Sequence, residues 1–86
     1  MIKPLPPYGP MDITRHALHR SRGVHIRVFY RGEDVTDRCQ YADDTPGRQV
    51  AHLFKLDANG RKYVDLPTNV VAMETVEGDV QMREAT

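Results

Sequence analysis

Turn chemistry constrains this chain more than any other feature of its sequence. Clusters of Gly, Pro, Asn and Asp punctuate it about every eight to twelve residues, a spacing that belongs to meandering sheets, small barrels and sandwiches. The clusters are Arg31-Gly32-Glu33-Asp34, Asp43-Asp44-Thr45-Pro46-Gly47, Asp57-Ala58-Asn59-Gly60, Leu66-Pro67-Thr68-Asn69 and Glu77-Gly78-Asp79.

The segments between the turns carry strand periodicity. Val24, Ile26, Val28 and Tyr30 alternate with His25, Arg27 and Phe29, the signature of a half-buried strand. Val35–Tyr41 resumes the alternation through Val35, Cys39 and Tyr41, and a third strand follows over Gln49–Leu56. Asp57–Gly60 predicts a tight hairpin, because Asn and Gly accept the positive φ of such turns. Further strands are expected at Arg61–Asp65, Val70–Val76 and Val80–Arg83.

The first residues behave differently. Prolines at positions 4, 6, 7 and 10 remove backbone donors and push their predecessors into extended geometry, so residues 1–10 are expected to form an extended Pro-rich arm. Ile2, Leu5 and Tyr8 are its candidate partner-binding anchors. Residues 11–23 read as a short basic helix or linker: Asp12 is the expected N-cap, Ile13, Ala17 and Leu18 mark an apolar stripe, and Gly23 is a stop signal. The expected organisation is therefore arm (1–10), helix (11–23) and a compact domain (24–86). The fold class is mainly β, a five- to six-stranded antiparallel barrel or sandwich. With 86 residues the chain supports one modest core and no deep cleft.

The net charge of zero hides a division. Residues 1–31 hold six basic side chains against one acid, a net +5, and residues 32–86 hold six against eleven, a net −5. Arg15, His16, His19, Arg20 and Arg22 form the expected basic surface, and Glu33, Asp34, Asp37, Asp43 and Asp44 the expected acidic one. Such asymmetry points to an anionic partner for the basic half; the alternatives are that the halves attract each other in the fold or that identical subunits pair head to tail. The longest apolar run, Val70–Met73, is too short to span a bilayer, and the prolines interrupt any signal-peptide pattern at the start.

Catalytic constellations do not assemble. Ser21 is the sole serine and has no nucleophile elbow around it, and Cys39, the sole cysteine, sits in a predicted strand where a free thiol packs as a small hydrophobe. One cysteine excludes an internal disulfide and fits a reducing compartment. His16 and His19 with Asp12 lack a further ligand at zinc spacing, and Asp57-Ala58-Asn59-Gly60 lacks the later Glu of a calcium loop. No cofactor is expected, and the chain reads as a binding protein rather than an enzyme. Nucleic acid is a less favoured partner: Phe29, Tyr30, Tyr41, Phe54 and Tyr63 could stack bases, but the β segment is acidic.

Asp34-Val35-Thr36, Arg38-Cys39, Ala42-Asp43, Asp57 with Gly60, and Gly78-Asp79-Val80 together form a pattern that resembles short uncharacterised proteins of tailed bacteriophages and prophages. The resemblance covers Gly32 to Val80 and implies a viral protein acting in the virion or the host cytoplasm. The expectation is a phage structural or accessory interaction protein, fixed to a larger assembly through its N-terminal arm. The alternatives are an inhibitor or regulator of a host enzyme or defence complex, acting through the acidic surface, and a small nucleic-acid-binding barrel.

Overall fold

The computed structural model describes residues 6–85, so the expected anchors Ile2 and Leu5 lie outside the described residues. The elements run β1 (Pro10–Asp12), α1 (Ile13–Ser21), β2 (His25–Tyr30), β3 (Glu33–Asp34), a 3-10 turn (Thr36–Arg38), β4 (Cys39–Asp43), β5 (Val50–Phe54), β6 (Val64–Asp65), β7 (Val70–Val71), β8 (Met73–Glu77) and β9 (Val80–Ala85). The protein is mainly β, and every strand pairing is antiparallel.

Two sheets share one core. The first has the order β3-β2-β9, with β2 and β9 in register from His25↔Ala85 to Tyr30↔Val80. Period-two alternation sends Ile26 and Val28 of β2, and Val80 and Met82 of β9, to the same buried side. The second sheet has the order β1-β4-β5-β8 and contributes Met11, Ala42, Ala51 and Leu53. Small alanines directly opposite one another (Ala42↔Ala51) leave room for the larger Ile26, Leu53 and Met82, which are essentially fully buried. Val35 closes one end of this core, its N–H donating to Val28 O at 2.8 Å.

Several expected boundaries shift for local reasons. The strand expected over Val35–Tyr41 opens with the 3-10 turn, because Thr36 caps β2 sideways: its Oγ1 accepts from Val28 N at 2.7 Å and donates to Asp34 Oδ1 at 2.6 Å. The strand expected over Val70–Val76 is cut at Ala72, where the ladder changes partner from β6 to β5. The arm expected over residues 1–10 does not stand apart from Tyr8 onward. Tyr8 is buried in the core, and Pro10 opens β1, which pairs with β4.

The helix forms where expected. Asp12 Oδ1 accepts from Arg15 N at 2.7 Å as the N-cap. Gly23, at φ +79°, ends it in a Schellman arrangement, with Gly23 N donating to Arg20 O and Val24 N to His19 O. Its orientation is inverted, however. No helical residue is buried, and the apolar stripe of Ile13, Ala17 and Leu18 faces solvent.

The most unusual part of the molecule lies between β5 and β8. Residues 55–71 are exposed without interruption, a run of 17. The Lys55 N to Ala72 O bond (3.0 Å) closes the body, and the chain beyond it folds as a narrow finger. Leu56 bridges to Lys62 around the Asp57–Gly60 turn, and β6 pairs with β7 around Leu66–Asn69. The molecule measures 48 × 28 × 20 Å with a radius of gyration of 13.7 Å, whereas a compact domain of this length has about 12 Å.

Candidate functional site

Four features of the structure carry charge, reactivity or exposed apolar surface. The N-terminal segment is the first. Asp44, buried, accepts from Tyr8 N at 3.0 Å and Gly9 N at 2.8 Å, so its carboxylate clamps the segment to the body. The Tyr8 ring meets His19 edge-on at 6.3 Å. Burial, then the nearby Glu84 and Asp44 carboxylates, hold the Tyr8 phenol above its ordinary pKa. Tyr8 is therefore a core residue and not a partner anchor.

The charged surfaces are smaller than their sequence sets. Arg15, Arg20 and Arg22 are exposed on α1, whereas His16 and His19 turn half-buried toward the body. His16 Nε2 lies 2.9 Å from Ile26 O, and because a carbonyl can only accept, that nitrogen carries the proton. On the acidic side, Asp43 and Asp44 are buried: Asp43 Oδ1 takes Thr45 N in a turn, and Asp44 holds the N-terminal segment. Asp34 is exposed but committed to Arg27 at 2.9 Å. Hydrogen bonds from Thr36, with the Arg27 guanidinium assisting, hold its carboxyl below the ordinary value of 3.8. Among the described residues, Glu33 and Asp37 remain without an ion pair.

A small hollow of about 70 Å³ opens beside α1, walled by Met11, Ile13, Val28, Cys39 and Ala42. Cys39 and His16 both line it, which invites comparison with a nucleophilic pair. The thiol donates to Tyr41 O at 3.3 Å, and burial pushes its pKa up to about 11. A thiol so protonated is a poor nucleophile at neutral pH, and His16 spends its Nε2 proton on Ile26 O. Among the described residues, no group of three or more His, Cys, Asp or Glu is placed to hold a metal.

Strand parity divides three of the candidate stacking aromatics between two sheets. Strand parity puts Phe29 on the outer face of one sheet, beneath Arg83 at 4.5 Å. Tyr41 and Phe54 lie on the outer face of the other, against His52 at 5.2 Å and beneath Lys62 at 4.3 Å. Among the described residues, no helix is long and apolar enough to cross a membrane.

The finger is the fourth feature and the largest. Among the described residues, Leu56, Tyr63, Val64, Leu66, Val70 and Val71 are six of the eight exposed large hydrophobics, and Leu66 is 85% exposed. The other two are Ile13 and Leu18 of α1. Backbone pairing holds the finger: Asp57 Oδ1 accepts from Asn59 N and Arg61 N, Asn69 N donates to Asp65 O at 2.7 Å, and Ala72 N to Tyr63 O at 2.9 Å. At its base Arg38 braces the body, reaching Glu74 at 3.0 Å and Phe54 O at 3.4 Å. The sequence predicts the two turns and strands on either side of Leu66–Asn69, but not that those strands pair with each other off the body.

Comparison with protein-family models, with curated proteins and with solved structures finds no match.

Proposed function

We propose that this chain is a non-enzymatic interaction module, a small β body that presents a projecting apolar finger to a protein partner in a larger assembly. One observation carries the reading: a 17-residue exposed run concentrates six exposed large hydrophobics and adds nothing to the main core cluster. Exposed apolar surface on that scale marks interaction sites, because water penalises it until a partner covers it. The resemblance over Gly32–Val80 supports a phage assembly, a virion component acting in many copies, where repeated modest contacts become avid. The finger is the docking element in this reading; of the expected N-terminal anchors, Tyr8 belongs to the body, and Ile2 and Leu5 lie outside the described residues. An inhibitor that uses an acidic face is less well supported, because two of its five carboxylates are buried and a third is paired.

The test is excision. Residues 56–71 are replaced by an Asn-Gly turn, closing on the existing Lys55–Ala72 bond. The expected result is a folded body, by circular dichroism and amide spectra, that no longer enters the native assembly. Undiminished incorporation of the shortened chain contradicts the reading.

A further inference from the structure

The base of the finger forms one wall of a second, larger cleft. About 530 Å³ of open space lies between the first turn of the finger (Leu56, Gly60, Arg61, Lys62) and the β3 and 3-10 segment of the body. The body wall is acidic, with Glu33, Asp34 and Asp37, and the finger wall is basic, with Arg61 and Lys62. Some of these charges are spent elsewhere. Asp34 holds Arg27 at 2.9 Å, and Lys62 lies over the Phe54 ring at 4.3 Å. Glu33, Asp37 and Arg61 are exposed, and none of the three is in an ion pair among the described residues. Two side chains add carbon to the same cleft: Val35, which is buried, and Leu56, which is left 43% exposed. Opposite charges thus face each other across water, beside an apolar side chain that water still wets. Both conditions favour narrowing the cleft.

The finger is mounted so that it can swing. It meets the body through two chain crossings, Lys55 and Ala72, joined by one backbone bond of 3.0 Å. No side chain of residues 55–71 belongs to the main core cluster, so rotation at this base breaks no core packing. Arg38 braces Phe54 O and Glu74 on the body side of the crossings, where it stays during the swing. An exposed ion pair alone is a weak tie, so closure depends on the charges and on Leu56 together, and it yields to salt.

We propose that the first turn of the finger is a latch, which closes on β3 and the 3-10 turn with Arg61 against Glu33 and Asp37 and with Leu56 covered. Closed, the latch fixes the angle at which the finger leaves the body. Open, as in the structure, the finger swings. A finger held at one angle has less freedom to lose on docking, so the latch sets how readily a partner is met. That consequence rests on the finger being the docking element; the latch itself does not.

Nuclear Overhauser spectra of the full chain, dilute and without a partner, decide it. Closure is read between the Val35 methyl groups and the Gly60 α-protons, which stand on opposite walls and are unaltered in every variant. Near 10 mM salt, where the screening length is about 30 Å, these cross-peaks are expected, together with others from Arg61 to Glu33 or Asp37. In 1 M salt, with screening over about 3 Å, both sets should be lost. Arg61→Glu should lose the Val35–Gly60 cross-peaks at low salt, and adding Glu33→Arg and Asp37→Arg to it should restore them. All three positions are exposed, so circular dichroism should show every variant folded. Absence of the cross-peaks from the full chain at low salt overturns the latch. So does their survival in 1 M salt or in Arg61→Glu, or a reversed set that does not restore them. The excision experiment is separate: it tests the finger in the assembly, whereas these spectra test the chain alone.

Discussion

At the scale of single residues, two carboxylates that look alike in sequence do different work. Asp44 is a clamp: its two oxygens take the Tyr8 and Gly9 amides, 36 and 35 residues away. Asp44→Ala leaves two buried or half-buried donors without acceptors and is expected to cost about 2–3 kcal/mol, read as a fall in the denaturant midpoint. A loss below a few tenths would show that water replaces the clamp. Asp34 acts through its charge. Its folded carboxyl lies below the unfolded value of 3.8, so its contribution is complete above that value and disappears as pH falls through the folded one. The stability gap between wild type and Asp34→Asn should be constant above about pH 5 and close below about pH 4. A gap that stays open at low pH would mean that the loss in Asp34→Asn does not come from ionisation of the carboxyl. Sequence placed both residues in turns, whereas Asp34 stands in the short strand β3 and Asp44 in the loop after β4. It could not separate them, because the partner of Asp44 is set by tertiary approach and that of Asp34 by a neighbour two residues on.

At the scale of elements, β2 was legible because every second side chain from Val24 to Val28 is buried, and α1 because its cap and its stop are local. The inversion of α1 was not legible. Its half-buried face is polar because His16 supplies a proton to the Ile26 carbonyl and His19 packs on Tyr8, contacts that no periodicity announces. The finger was missed for a similar reason. Val64, Val70 and Val71 have the composition of buried strands, yet the ladder changes partner at Ala72 and carries them off the body. A hairpin of this kind is marginal alone, and its side chains bury nothing in the main core cluster. Excision of residues 56–71 should therefore leave the unfolding midpoint within about 0.5 kcal/mol of the full chain, the usual range for changes away from buried features. A loss of several kcal/mol would assign the finger to folding instead.

At the scale of the whole molecule, the division of charge read from the sequence survives in altered form. Burial of Asp43 and Asp44 and the pairing of Asp34 reduce the acidic face, and the turn of His16 and His19 toward the body reduces the basic one. What remains exposed is a cationic helix with an apolar stripe at one place and an apolar finger at another, on a body whose polar groups are otherwise satisfied. The length of 48 Å comes with this division of labour. The two sheets hold the fold, and the finger and α1 present surface.

Amide hydrogen exchange of the full chain, first dilute and then in the assembly purified with it, tests that division most directly. In the dilute chain, finger amides between Lys55 and Ala72 should exchange far faster than those of the β2–β9 ladder, since few buried contacts support them. In the assembly, the gain in protection should fall on the finger, with the ladder unchanged. Protection gained elsewhere, with the finger as fast as before, would contradict the account.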